Sequence, residues 1–371
     1  MSNRLSGMLD RARQVSCFCG FDGFIDEVVH TVDRRLDADR YIRIPTLAEY
    51  GSRIANGSGL SINIEIVTVD RKIGGNGPIF TNALRRFGAR TTYVGSVGRD
   101  AVDPVFAELA QGGAVIGVAD PAQTDAMEFS DGKIIRSKLS ALGGVTWQSI
   151  VERVGLRAFA DYMDASDLIG FNNWTMLPHM SEIWDSILSE AVPIMRTADK
   201  RGKLLFFDLA DPEKRTREDL LAALKQIRTF GERGFDTILG LNKKEACEVA
   251  EALGCRISSY RDQPLKELAC GLYARLGVRR LVVHPVDRAA CVTKGGYFEV
   301  AGPFCPEPKL TTGAGDHFNA GFAFGALQGF APEDCLLLGV AVSGYYVRSG
   351  KSPDLPEVKT FLAAWDAGTL V

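Results

Sequence analysis

Strand-forming and helix-forming runs alternate along almost the whole chain, and this alternation narrows the possible architectures sharply. Val15–Phe21, Thr91–Val97, Asp167–Phe171, Lys203–Asp208, Thr237–Gly240 and Arg280–His284 are short apolar runs. Continuous apolar character, without a polar residue at every second position, marks strands buried on both faces, as in a parallel sheet. Between them, Ile79–Phe87, Val102–Gln111, Ser149–Met163, Ser181–Asp199, Arg217–Phe230 and Lys243–Leu253 carry apolar residues at helical spacing. Strand–helix–strand units join parallel strands through right-handed crossovers. The sequence therefore predicts an α/β fold with three α/β/α layers around a mainly parallel central sheet. No internal repeat or low-complexity linker interrupts residues 1–371, so a single domain is expected.

Two segments break the pattern. In Leu60–Val69, Ile62, Ile64 and Ile66 alternate with Asn63, Glu65 and Val67. Thr124–Phe129, the turn Ser130-Asp131-Gly132-Lys133 and Ile134–Leu139 read as a β-hairpin, because Asp-Gly suits a tight turn. Half-exposed strands do not belong inside a buried parallel sheet. They predict a small β-sheet lid with strands within about 36–72 and 120–140, one face of which needs ligand, main body or partner chain against it. An exposed strand edge also invites pairing, which makes a homodimer through the lid an expectation.

Composition removes several function classes. Lys and Arg number 43 against 46 Asp and Glu, and no basic run stands out, so neither nucleic acid nor a membrane surface is an expected partner. The eight cysteines include no C-x-x-C pair and only four histidines accompany them, which argues against a zinc site and for free thiols in a reducing cytoplasm. Residues 1–15 carry Arg4, Asp10, Arg11 and Arg13 without an apolar core, unlike a signal peptide. No run approaches the roughly 18 apolar residues of a membrane span.

The chemistry concentrates in Leu310-Thr311-Thr312-Gly313-Ala314-Gly315-Asp316-His317-Phe318-Asn319-Ala320-Gly321-Phe322. A Gly-Ala-Gly turn opens a helix expected to run to about Gln328. Its free first-turn N–H groups and dipole stabilise an anion. Asp316 sits in that first turn, where an acid beside an anion hole suits phosphoryl transfer: amides hold the phosphate and the acid takes the acceptor's proton. The plainer alternative is that Asp316 only caps the helix.

This string closely resembles the C-terminal signature of the ribokinase-like (PfkB) carbohydrate and nucleoside kinases. Four other segments resemble the family's elements in the same order. They are Phe21-Asp22-Gly23-Phe24-Ile25-Asp26, Gly74-Gly75-Asn76-Gly77, Val94-Gly95-Ser96-Val97-Gly98-Arg99-Asp100 and Asn242-Lys243-Lys244-Glu245. The resemblance implies that Asp316 is the general base and that Gly313, Ala314 and Gly315 donate amides to the moving phosphate. It implies sugar contacts at Asp22 and Asp26, with Gly74, Gly75 and Asn76 alongside. Thr312, Gly313 and Gly315 would meet the nucleotide. Asn242 and Glu245 would organise Mg²⁺ and the ATP phosphates through water, although Asn242 to Glu245 is equally a helix-capping arrangement.

The chain also departs from the family pattern. Leu310 stands where an Asp is frequent, and Ile79 where a substrate-contacting Asn is common. His284-Pro285-Val286-Asp287-Arg288-Ala289 lacks the glycines of the nucleotide-side strand end. Gly344–Ser352 ends in Gly350-Lys351-Ser352 but has one residue too many for a P-loop and follows a helical pattern. Asn172-Asn173-Trp174 could line a cleft at strand carboxyl ends, and Asp208 and Asp211 could reach nucleotide or metal or simply form a turn. No dinucleotide fingerprint is present. The expected function is ATP-dependent phosphorylation of a hydroxymethyl group on a sugar, sugar derivative or nucleoside, with ATP and Mg²⁺ as cofactors. The alternative is a non-catalytic sugar- or nucleotide-binding regulatory protein on the same fold.

Overall fold

The structure is a computed structural model that describes residues 2–197, 199–257 and 259–370. In chain order its strands are β1 Ser16–Gly20, β2 Phe24–Arg35, β3 Tyr41–Arg43, β4 Ile66–Gly74, β5 Arg90–Gly95, β6 Gly113–Gly117, β7 Ala122–Phe129, β8 Gly132–Lys138, β9 Leu168–Phe171, β10 Leu204–Asp208, β11 Asp236–Leu241, β12 Arg280–Val283, β13 Arg288–Thr293 and β14 Gly296–Ala301. The large sheet has the order β14-β13-β12-β11-β10-β9-β1-β5-β6. It is parallel from β12 to β6, and β13 and β14 add antiparallel at one edge. Every residue of β9 and β10 is buried, as continuous apolar runs require. One face packs on helices that include Arg217–Glu232 and Leu265–Leu276, the other on Asn76–Arg86, Ala314–Leu327 and Pro332–Ser349.

The second, five-stranded sheet joins β3, β2, β7 and β8, with β4 against β2. Its longest strand, β2, begins at Phe24, earlier than the expected window from residue 36. The chain passes from β1 of the large sheet straight into β2 of the small one through Phe21-Asp22-Gly23. Leu60–Val69 is not a strand throughout: β4 starts only at Ile66, and the residues before it run irregularly after the helix Leu47–Asn56. Alternation alone does not make a strand without a partner, and register with β2 begins at Thr31↔Ile66. That helix covers part of one face of the small sheet through a separate core of Val29, Ile44, Tyr50, Met127 and Phe129. The opposite face carries Asp26, Thr124, Ala126, Glu128, Lys133 and Ser137 towards a cavity.

Three helices differ from their expected spans for local reasons. Val102–Gln111 shrinks to a 3₁₀ turn at Pro104–Phe106 and a short helix, Ala107–Ala110, with Asp103 capping Val105 N at 2.9 Å. Ser149–Met163 splits at Gly155, whose φ of 84° only glycine adopts without strain. Ser181–Asp199 becomes the helix Met180–Ser186, a π-turn and Val192–Ile194, because Pro193 has no N–H to continue the ladder. Ala198, within that expected span, lies outside the described residues. Among the described residues, no helix is long and apolar enough to cross a membrane.

Candidate active site

The turn at Thr311–Asp316 stands between two cavities. On one side, a space of about 380 Å³ lies under the small sheet, walled by Asp26, Lys72, Asn76, Lys133, Gly313 and Asp316 among others. On the other, about 330 Å³ is walled by Asn242, His284, Val286, Ala314, Gly315 and Ser343 among others. Gly313, at φ 89°, is the N-cap of the helix Ala314–Leu327. The amides of Gly315 and Asp316 are first-turn groups of that helix, which have no carbonyl four residues back inside the helix. Ala314, expected as a donor, has its N–H on Thr311 O at 3.1 Å, so it closes the turn instead. A larger space of about 630 Å³ lies behind Ile79 and Leu310. Its Arg71 pairs with Glu27 and Asp103 and its Arg86 with Asp354 and Glu357, so these guanidiniums are already matched by acids.

Asp316 is buried, and its Oδ1 accepts from Asn76 Nδ2 at 3.0 Å. Burial raises its pKa well above the carboxylate range, and the nearby charges of Asp208, Asp22 and Glu245 raise it further, against the Asn76 hydrogen bond. Asp208, at the end of β10, is likewise pushed up by burial and by Glu245. Its oxygens accept from Ala210 N and Asn319 Nδ2, both at 2.9 Å. The backbone here is under tension: Asn173, Ala210 and Asp211 all sit at φ near +60°, a conformation that costs about 1 kcal/mol or more for a non-glycine residue. These strained residues follow the carboxyl ends of β9 and β10, where ligands gather in open α/β sheets.

Asp22, expected to contact sugar, does not wall the cavity under the small sheet. It is fully buried, and its carboxylate accepts from Asn76 N, Gly77 N and Asn173 Nδ2 at 2.8–2.9 Å. Tyr93 donates its hydroxyl to the Asp22 carbonyl. Burial moves the Asp22 pKa up to about 6 despite these donors. Asp22 is thus the anchor of the helix Asn76–Arg86, and it acts on Asp316 through Asn76. Gly75, at φ 92°, and Gly77 let the chain pass this carboxylate: a Cβ there would lie 2.8 and 2.6 Å from its oxygens. Gly74 is similarly pressed against the Asp26 carboxylate. Asp26, Gly75 and Asn76 do wall the cavity, and burial raises the Asp26 pKa while Lys72 lowers it.

Asn242 and Glu245 form a full capping box: Asn242 Oδ1 accepts from Glu245 N at 2.9 Å, and Glu245 Oε2 from Asn242 N at 2.8 Å. Glu245 Oε1 also accepts from Asp211 N at 3.1 Å, so neither oxygen is without a donor. Among the described residues, no group of three or more His, Cys, Asp or Glu side chains is placed to ligate a metal directly. The mutual charge of Asp22, Asp208, Glu245 and Asp316 nevertheless fits a hydrated cation held through water.

Sequence reasoning missed Lys133. Just beyond the hairpin turn, it reaches over the cavity so that Nζ donates to Thr312 Oγ1 at 2.8 Å. Burial and Lys72 lower its pKa. A lysine after Asp-Gly reads as a solvated turn, so no pattern signals this role. Asn173 belongs to the Asp22 anchor, whereas Trp174 is core, and Asp211 joins the cavity wall. His284, Pro285, Val286 and Arg288 wall the second cavity, and the His284 ring lies 4.7 Å from Phe318.

The model of the prokaryotic ketohexokinase family matches residues 5–365. A ketohexokinase from Haloferax volcanii is 29% identical over 348 residues, 93% of this chain and 90% of the relative. Among solved structures, a probable sugar kinase from Rhizobium etli CFN 42 has a TM-score of 0.66 at 18% identity, covering 96% of this chain and 99% of that one. An adenosine kinase from Sinorhizobium meliloti has a TM-score of 0.65 at 18% identity, covering 96% and 100%. The two-sheet architecture is therefore the ribokinase-like fold.

Proposed function

The chain belongs to the prokaryotic ketohexokinase family, and on that premise we propose that it transfers the γ-phosphoryl group of ATP to a hydroxymethyl group of a ketohexose. It is a carbohydrate kinase. The observation that carries the acceptor geometry is the position of Asp316, buried at a glycine turn that walls two separate cavities. The acceptor binds under the small sheet and the nucleotide beyond Gly315.

Asp316 Oδ1 is held by Asn76, which leaves Oδ2 for the acceptor hydroxyl. As the acceptor oxygen bonds to phosphorus, its proton passes to Asp316 and the bond to the β-phosphate oxygen breaks, releasing ADP. The Gly313 and Gly315 amides and the Lys133 ammonium face the charge on the transferred group. Asp26 accepts from sugar hydroxyls on the far wall, and Ile79 supplies an apolar one. Mg²⁺ bound with the nucleotide would supply charge neutralisation at the phosphates, and Asn242 and Glu245 would hold it through water. A non-catalytic binder would not need a buried carboxylate at the turn, so the acid argues against that alternative.

Leu60, Ile62, Ile66, Val69 and Ile135 expose apolar surface on or beside the small sheet, which favours a homodimer through it. All eight cysteines are unpaired, which suits a reducing compartment, and we place the reaction in the cytoplasm. The test is ADP release from ATP and Mg²⁺ over a panel of ketohexoses, aldoses and nucleosides. A ketohexose with the highest kcat/KM supports the reading; activity confined to nucleosides contradicts it.

A further inference from the structure

His317 and Tyr346 touch neither cavity beside the turn, yet both are bonded to its backbone. Tyr346, near the end of the helix Pro332–Ser349, donates its hydroxyl to Thr312 O at 2.8 Å. His317 Nδ1 lies 2.7 Å from Gly313 O, and Nε2 2.7 Å from Ser352 Oγ. The two rings stack at 3.7 Å and 16°. The same helix end holds the segment leading into the turn, because Val347 O accepts from Lys309 N at 2.8 Å and from Leu310 N at 3.3 Å. His317 is 1% exposed, and burial lowers its pKa to about 4, so the ring is neutral near pH 7.

The tautomer follows from the partners. Gly313 O can only accept, so Nδ1 carries the proton. Nε2 is then bare and accepts from the Ser352 hydroxyl. This gives the Gly350-Lys351-Ser352 segment a use that has nothing to do with a P-loop: Ser352 fixes the histidine.

Two successive carbonyls of the turn are thereby tied from behind. A peptide unit is planar and trans, so its C=O and N–H point in opposite directions. Holding Thr312 O aims Gly313 N–H away from Tyr346. Holding Gly313 O aims Ala314 N–H away from His317, onto Thr311 O, where it closes the turn. We infer that His317 and Tyr346 are positioning residues for phosphoryl transfer, setting the direction of the turn's amides through its carbonyls. The inference rests on the reading above that this turn receives the moving phosphate. Preorganised donors stabilise a transition state because they need no reorientation during the reaction.

The experiment compares His317→Leu, His317→Asn, Tyr346→Phe and Ser352→Ala with wild type and Asp316→Asn. The readouts are kcat, acceptor KM, ADP affinity, and affinity for ADP with aluminium fluoride and acceptor, a mimic of the transferring phosphoryl. Loss of one oxyanion donor costs about 10²–10³ in rate, and an indirect tether should cost less, about 10- to 100-fold in kcat. That loss is expected for His317→Leu and Tyr346→Phe, with KM and ADP affinity little changed and the mimic's affinity falling in parallel. His317→Asn can still donate to Gly313 O and should recover most of the rate. Ser352→Ala should have a smaller effect of the same sign. If Asp316→Asn is inactive while soluble Tyr346→Phe and His317 variants keep wild-type kcat and mimic affinity, the inference fails and the kinase site stands. Full activity in Asp316→Asn overturns both.

Discussion

Asp316 shows how much a single carboxylate depends on its surroundings. Burial and three neighbouring acids hold its pKa well above that of a free carboxyl. A base must be deprotonated to act, so kcat/KM should fall on acidification, with its acid limb lying above the ordinary carboxylate range. A pH–rate profile of the wild type checks this; a limb near pH 4 would contradict the role. Lys133 is the second test at this scale. Lys133 Nζ is bonded to Thr312 Oγ1 beside the turn; on the proposed role of that cation, Lys133→Met should lower kcat about 10-fold or more, and Lys133→Arg should recover part of it. Steady-state kinetics with a confirmed acceptor decide it. The helix-opening turn that carries Asp316 was readable in the sequence because small residues crowd there in a recognisable order. Asp22 was misplaced because an acid after a strand reads alike whether it faces ligand or backbone; only the fold reveals that Asn76 N and Gly77 N occupy it.

The elements that matter most are the two connections between the sheets. Phe21-Asp22-Gly23 carries the chain out of the large sheet, and Gly74-Gly75 brings it back. Both pass the Asp22 carboxylate, so the small sheet and the turn at Asp316, which Asn76 reaches, share one anchor. Gly75→Ala would force a side chain into φ 92° with its Cβ 2.8 Å from Asp22 Oδ2. A loss of about 2 kcal/mol or more in stability is expected, with weakened acceptor binding because Asn76 shifts; chemical denaturation and acceptor KM measure the two. The alternating pattern made the parallel strands legible, since each is buried on both faces. It mislocated the first lid strands. Phe24–Arg35 merges with the apolar run before it, and Leu60–Ile64 alternates before the pairing with β2 begins, at Glu65 O, which accepts from Val32 N at 2.8 Å.

For the molecule as a whole, function and stability pull against each other. Asp22, Asp208 and Glu245 are buried near Asp316, and their charges raise the cost of ionising it. Asp316→Asn removes the charge at that position while leaving Asn76 an acceptor. It should be more stable than wild type at pH 8, by about 1 kcal/mol. The gain should shrink as the pH falls, because the raised pKa means the wild-type acid protonates and sheds its penalty first. Thermal melting at several pH values tests the sign. The exposed apolar side chains of the lid predict a second property: sedimentation should find a dimer that Ile66→Glu dissociates. In the sequence, the proposed self-association rests on an unpaired strand edge alone, because one sequence does not state what covers it.

The most direct test of the central claim is the rate of phosphoryl transfer by Asp316→Asn under saturating ATP and a confirmed ketohexose, measured together with its ATP affinity. Removing the base should lower kcat by about 10³-fold or more while ATP binds within a few-fold of wild type. Near-wild-type turnover by the folded variant would contradict the account.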